Sequence, residues 1–323
     1  MARPQQLRPR TARSVASRLA ASAVAVLPAA AAVLLLGGCS VKQFAIKQVG
    51  SALAASAGGA FAAESDPEFA GQAVPFSLKL VETLIWEQPE NDELLTAAAG
   101  GFTQYAFVWV QQPADLIEAD DFAAAQHGHQ RARAFYLRAH DYAMRGLAVQ
   151  HAGFSATFAQ DPFAAVKVLG RDDVPLMYWA CTSLGAAISL GKTEPDLVAR
   201  QPQVEALVDR AAALDPAWGD GTLREFLMSY ELARPGAGAE GIRKARAIFE
   251  QIVAENGDRS ASPFVVFAES VSVQQQDRAE FTQLLERALA IDPDKTPDRR
   301  LANVVMQQRA RWLLSRVDEL FLE

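Results

Sequence analysis

Four stretches of this chain end alike. Val208-x-x-Ala211-x-x-Leu214-x-Pro216 lies over Leu285-x-x-Ala288-x-x-Ile291-x-Pro293. Phe249-x-x-Ile252-x-x-Glu255-x-Gly257 follows the pattern more weakly, and Val81-x-x-Leu84-x-x-Glu87-x-Pro89 reads as an earlier copy. A spacing of three puts these positions on one helix face. A small or apolar residue at the middle position lets a second helix nestle against the first. The closing Pro or Gly ends the helix and turns the chain.

This is the tail of a tetratricopeptide-type helix pair. The copies end at residues 89, 216, 257 and 293, so they are 127, 41 and 36 residues apart. The wide first gap leaves room for a divergent unit ending near His151 to Gly153. None of the spacings equals the ideal repeat of about 34 residues. The expected fold is therefore all-α, a helical hairpin array of degenerate tetratricopeptide-like repeats; a generic helical bundle is the alternative.

The rest of the chain agrees with helices. Asp66-Pro67-Glu68 places a capping Asp, a first-turn Pro and an acid at a helix start. That helix is predicted to reach Trp86 with a kink at Pro75, and a second, capped by Asn91, to reach Gln111. A long stretch to Gln150 is expected to loosen near Gly128, and residues 154–170 to break at Pro162. Val174 to Leu190 is nearly all apolar, so it should lie at the centre. Helices are expected over 203–214, 220–233, 239–255, from Ser262 as a cap, over 277–291 and over 298–320. No run alternates apolar and polar residues as strands require.

The amino terminus follows a different grammar. Arg3, Arg8, Arg10, Arg13 and Arg18 precede an Ala/Val/Leu-rich run over Leu19 to Leu36, and Leu36-Gly37-Gly38-Cys39 closes it. A basic start, an apolar middle and small residues before the cut mark an export signal. The motif at Cys39 resembles a bacterial lipobox. The run has 18 residues with Pro28 inside it, short for a span of about 20 residues. The expected layout is a signal over 1–38, a lipidated tether over 39–64 and a helical domain over 65–323. Lipid on Cys39, palmitate included, would hold the protein on the periplasmic face of a bacterial membrane. Ser40 rather than Asp after the cysteine implies sorting to the outer membrane.

Removing the signal changes the charge. The chain carries 31 basic and 38 acidic side chains, and the signal holds five arginines and no acid. Beyond it, 26 bases face 38 acids, a net charge of −12. Such a surface lacks the basic footprint nucleic acid needs and is repelled by anionic lipid, which leaves the acyl chain as the membrane link. Cys181 has no partner once Cys39 is acylated; within Met177-Tyr178-Trp179-Ala180-Cys181 it reads as a small buried hydrophobe.

Motifs for chemistry are scarce. The sequence has no P-loop, dinucleotide fingerprint, nucleophile elbow, HExxH or paired CxxC. His127, His129, His140 and His151 cluster within 127–151, but Arg131, Arg133 and Arg138 share the stretch and oppose a cation, so neither metal nor cofactor is expected. The densest polar-aromatic segment runs from Asp220 to Gly236. There Asp220, Arg224, Leu227 and Glu231 fall on one stripe, with Glu225, Tyr230 and Arg234 beside it. Two readings stay open: ion pairs on a helix surface, or a polar strip facing a groove. Tyr105, Trp109 and Trp179 are core aromatics that could also line a cavity. A general base at Glu225 or Glu231 would need a strongly raised pKa in a closed pocket.

Several segments in order carry a family resemblance: the cysteine motif, Val74 to Leu80, Tyr178-Trp179 with Gly185 to Leu190, Gly219 to Gly236, Ser260 to Pro263, and Arg299 to Asn303. Together, over about Gly38 to Leu314, they resemble the T component associated with TRAP transporters. The resemblance implies a helical periplasmic lipoprotein beside the solute-binding protein of a system that imports organic acids. It implies no enzyme activity and carries over no catalytic residue. A homo-oligomer stays open, as does an alternative role as an envelope assembly scaffold.

Overall fold

Caps written into the sequence start the helices. A computed structural model describes residues 59–322; the signal, Cys39 and most of the tether lie outside these residues. Asp66 accepts from the amides of Glu68 and Phe69, at 2.9 and 3.1 Å, and opens helix α1 (Pro67–Glu87), which continues through Pro75. Asn91 caps α2 (Asp92–Ala106) through the Leu94 amide at 3.1 Å. A π-helical turn, Phe107–Gln111, leads into α3 (Gln112–Ile117).

Asp121 then caps α4 (Phe122–Gln150), which is continuous past Gly128. The expected loosening is absent there for a steric reason. A Cβ at Gly128 would come 2.6 Å from the Ala114 Cβ, so the glycine lets α3 lie close on α4.

After α5 (Phe154–Gln160) and α6 (Pro162–Ala165), α7 spans Val174–Leu190, the stretch expected at the centre. Val174, Met177, Ala180, Cys181, Leu184 and Ala187 have no exposed surface. The Cys181 thiol donates to the Tyr178 carbonyl at 3.2 Å, and burial pushes it up to about 12. The chain continues as α8 (Pro195–Val198), α9 (Gln201–Leu214), α10 (Thr222–Ala233) and α11 (Gly238–Asn256). It closes with α12 (Ser262–Phe267), a second π-helical turn (Ala268–Ser272), α13 (Arg278–Ala290), α14 (Arg300–Ser315) and α15 (Val317–Leu320). No strand occurs among the described residues, so the fold is all-α.

Ser262 was expected as a cap, but it is the first residue of α12, and Ala261 holds the cap position with no side chain to offer. The distant Asn303 on α14 does that work: its Oδ1 accepts from the Ala261 amide at 2.9 Å, and its Nδ2 donates to the Arg259 carbonyl at 3.0 Å. A local Ser-Pro signal cannot reveal a cap delivered from another helix.

Helices joined by short turns pack on one another: α10 on α11, and α13 on α14. Helix α4 lies between α2 and α7, and α9 covers α7. The tail residues Val208, Ala211, Leu285 and Ala288 are fully buried, as nestling helices require. Gly241 marks a close approach of α10 and α11, since a Cβ there would sit 2.6 Å from the Glu231 carbonyl oxygen. Backbone cannot step aside as a side chain does. Gly241→Ala is expected to cost about 1–3 kcal/mol, read as a lower urea midpoint with unchanged slope; an unchanged midpoint would contradict this packing.

One apolar core centres on α7 and a second gathers α11 to α14, while a smaller one joins α1 to α2. Phe107, in the first π turn, packs against both of the larger cores. Helix α14 returns to touch α1, and Arg300 donates to the Ala63 carbonyl at 3.1 Å. Helix α14 thus meets the start of the described chain.

Candidate functional site

Where α1 and α14 meet there is a cleft of about 290 Å³. Its walls come from Pro67 and Glu68 of α1, Val108 and Trp109 of the π turn, Gln112, Pro113 and Leu116 of α3, and four residues of α14: Val305, Gln308, Arg309 and Trp312. In the π turn the Gln112 amide bonds back to the Phe107 carbonyl, five residues earlier. The extra residue per turn shifts the helix register, a device common at functional sites. Trp109 is pinned there: its Nε1 donates to the Pro67 carbonyl at 2.7 Å, and its ring stacks on Tyr105 at 6.1 Å. Gly71 makes room for it, since a Cβ at that position would lie 2.5 Å from the indole.

The polar end of the cleft is built around Arg309, whose side chain is 10% exposed. Its Nη1 donates to Asp115 at 3.0 Å and its Nε to Glu269 at 2.8 Å, with a further bond from Nη2 to Glu269. Burial alone would favour losing the proton, but Glu269 and Asp115 reverse that and hold the guanidinium charged. The other Asp115 oxygen meets His129 Nε2 at 2.9 Å. Glu269 belongs to the second π turn, so both π turns bring an acid to Arg309 or stand next to one that does. Tyr136 donates to the Gln111 side chain at 2.7 Å; burial and Asp115 push its hydroxyl well above its ordinary value. Gln112 is only 8% exposed, yet its Nε2 finds no acceptor.

A second cleft, about 610 Å³, lies between α1 and α4 and is lined by Glu82, Ile85, Trp86, Pro89, Arg138, Tyr142 and Arg145. It is larger, but its polar floor is already satisfied. Glu82 accepts from Tyr142 at 2.7 Å, from Lys79 at 2.8 Å and from Arg138. Burial pushes that carboxyl up, but Lys79, Tyr142 and Arg138 hold it below its ordinary value. The smaller cleft is the one with an unspent polar group.

The residues singled out from sequence scatter. Trp109 lines the smaller cleft, and Tyr105 backs it. Trp179 lies elsewhere, edge-on to Tyr178 at 4.8 Å and over Gly100, where a Cβ would come within 2.8 Å of the indole. The Asp220 to Arg234 residues line neither cleft. Asp220 stands before α10 with φ 52°, in a left-handed bend between Gly219 and Gly221, and faces Arg299 at 3.4 Å. Arg224 pairs with Glu255 across to α11. Glu231 bonds Arg234 at 2.8 Å and faces the Lys244 ammonium at 3.5 Å, while Arg234 also reaches Glu205 at 2.9 Å and Asp209. Tyr230 lies beneath the Arg234 guanidinium at 5.1 Å. These groups join α9, α10 and α11.

Glu225 is the exception among them. Burial pushes its carboxyl from 4.5 up to about 7, against the pull of Ser262 and Arg299. It is a titrating group where α10, α12 and Arg299 come together.

Three of the four histidines have separate partners: His129 has Asp115, His151 has Asp173 at 3.0 Å, and His140 has the Ala180 carbonyl at 3.0 Å. No group of three or more His, Cys, Asp or Glu is placed to hold a metal among the described residues.

The described residues form an all-helical chain with a partly apolar cleft where α1, α3 and α14 come together. The chain belongs to the TRAP transporter T-component family, whose model matches residues 63–321. It is also similar to an uncharacterized protein of Treponema pallidum (strain Nichols), 31% identical over 313 residues, which covers 91% of this chain and 96% of that protein. Family membership makes it an accessory component of TRAP transport.

Proposed function

We propose that this chain is a non-enzymatic, lipid-anchored periplasmic protein that docks the solute-binding protein of a TRAP-type transporter and holds a small ligand for it. The hairpins act as a degenerate tetratricopeptide-like array, and the lipid on Cys39 keeps them at the membrane, in the outer membrane where the organism has one. The observation that carries the ligand-holding part is the cleft walled by Trp109 and Trp312. No helix among the described residues is long and apolar enough to cross a membrane; in this reading the acyl group on Cys39 supplies the attachment.

Two measurements test this. Cys39→Ala is expected to move the protein from the membrane fraction to the soluble fraction and to abolish labelling by a palmitate analogue; continued membrane retention would sink the anchor. Affinity isolation of the wild-type chain from solubilised envelopes is expected to recover a TRAP solute-binding protein, and its absence would sink the docking role.

One observation favours a second reading, an envelope scaffold that binds protein segments. Phe69, Phe76 and Trp86 on α1 are 62%, 74% and 87% exposed, and exposed apolar faces of this kind mark interaction surfaces. Photo-crosslinking from position 86 separates the readings: a solute-binding protein as the main product supports transport, and assembly factors support the scaffold.

A further inference from the structure

We propose that Asn256, at the junction of α10 and α11, is a modification site. It loses its side-chain amide to become aspartate and isoaspartate, and the bond it makes to Asp220 holds the reaction back until the junction opens.

The first argument is where two reactive dipeptides lie. Of the asparagines Asn91, Asn256 and Asn303, only Asn256 precedes a glycine, and of the aspartates only Asp220 does. Asn-Gly and Asp-Gly are the pairs most prone to close a cyclic imide, because glycine puts no side chain in the way of the attacking amide nitrogen. The two dipeptides are 36 residues apart, yet the Asn256 Nδ2 donates to the Asp220 carbonyl at 2.9 Å.

The second argument is that the fold itself calls for these residues. Gly221 has φ 94° and Gly257 has φ 58°, both in the left-handed region that favours glycine. A Cβ at Gly221 would lie 3.0 Å from the Asn256 Nδ2, so this glycine also admits the amide. Asn256 holds the bend over 219–221 against the end of α11, and the Arg299 Nη2 reaches the same Asp220 oxygen at 3.3 Å. The geometry that closes the junction therefore supplies the reactive sequence.

The third argument is the chemistry and what restrains it. The Gly257 nitrogen gives up its proton and attacks the Asn256 Cγ. The new C–N bond closes a five-membered imide, the Cγ–Nδ2 bond breaks, and ammonia leaves with the proton. Water then opens the ring at either carbonyl. One product is aspartate; the other is isoaspartate, with the chain running through the former side chain. In the fold both groups are tied: the Gly257 amide donates to the Val253 carbonyl, and Nδ2 donates to Asp220. Asn256 also keeps a helical ψ of −17°, which holds the nitrogen away from Cγ. Gly257 is exposed and Asn256 half-buried, so fraying of the last turn of α11 frees both without global unfolding.

The product alters the junction. The donor to Asp220 is lost, and a carboxylate takes its place beside Glu255 and Asp258, facing a carbonyl oxygen. The start of α10 is then released from the end of α11.

The test incubates the full chain in warm, mildly alkaline buffer, with and without urea. Peptide mass spectrometry reads the gain of about one dalton at position 256, and an isoaspartyl methyltransferase reads the isoaspartate. The folded protein is expected to convert slowly, and the urea-unfolded chain roughly tenfold faster or more. Gly219→Ala puts a side chain into the left-handed bend and is expected to speed conversion in the folded protein roughly fivefold. Asn256→Gln, whose longer side chain closes the ring far more slowly, is expected to abolish the isoaspartate signal. Asn256→Asp, the product itself, is expected to melt about 2–4 °C below wild type.

An intact Asn256 in both the folded wild type and Gly219→Ala overturns the site. Equal rates with and without urea overturn the restraint by Asp220. An isoaspartate signal that persists in Asn256→Gln moves the chemistry to Asp220 and overturns the assignment. A wild-type melting temperature for Asn256→Asp overturns the release of α10.

Discussion

Arg309→Met is expected to cost about 3 kcal/mol of folding stability. The guanidinium joins groups far apart in sequence: Asp115 lies 194 residues away and Glu269 lies 40 away. Removing it leaves the Asp115 side chain, 14% exposed, without its cation, and breaking one side of a buried pair costs about 3–5 kcal/mol. Glu269, at 35% exposed, is partly rescued by water, which places the loss at the lower end of that range.

The consequence is specific because the contact joins two bodies of packing. Asp115 follows α2 and the first π turn, whose neighbours belong to the α7 core, whereas Glu269 sits within the α11–α14 core. Loss of Arg309 should therefore weaken cooperation between the cores. Urea unfolding is expected to show a lower midpoint and a shallower slope, and adding Asp115→Asn should recover part of the loss. A variant that unfolds at the wild-type midpoint would show that the ion pair is idle.

The second large effect is a hidden balance in pH dependence. Burial pushes Glu225 from 4.5 up to about 7. Burial likewise pushes His140 from 6.5 down to about 4, with Arg200 adding to the drop and the Ala180 bond resisting it. An acid raised in the fold contributes its full stability below its unfolded value and loses it as pH climbs to the folded value. Glu225 therefore weakens the protein as pH rises from 4.5 to about 7. A histidine lowered in the fold acts oppositely, so His140 weakens it as pH falls from 6.5 to about 4.

Fully buried His140 is worth about 3 kcal/mol across its window. Glu225 keeps some solvent contact, so about 1–2 kcal/mol is its share after screening. Between roughly pH 4.5 and 6.5 the two slopes oppose. Glu225→Gln should unmask the histidine: stability at pH 8 rises by about 1–2 kcal/mol relative to wild type, and the fall towards pH 5 steepens. Urea midpoints at four pH values measure this, and parallel curves for wild type and variant would refute it.

These two sites differ in how far the sequence announced them. Glu225 stood out as a polar residue in a dense segment, although its raised value comes from burial by other elements, with Ser262 and Arg299 pulling it back. The helix frame was largely legible. Val174–Leu190 matched its apolar run to the residue, and Asp66 and Asn91 cap where local chemistry places them.

The closure was not legible. A π turn is one extra residue in an otherwise ordinary helix, so Phe107–Gln111 carries no compositional mark. Trp109 and Tyr105 stood out as aromatics, but the facing wall of Val305, Arg309 and Trp312 comes from the far end of the chain. Gln112 becomes informative only once its burial and its missing acceptor are known. Gly128 misled for a related reason: a glycine that loosens an isolated helix tightens a packed one, and Ala114 decides between them.

The depth of Cys181 gives the molecule a built-in clock. Only the thiolate reacts with alkylating reagents, and this thiol, with no exposed surface and its ionisation pushed up to about 12, becomes reactive only when α7 is bared to water. Each alkylation therefore records one excursion of the central helix out of its packing. Labelling rates with and without a bound partner convert directly into how often the array opens.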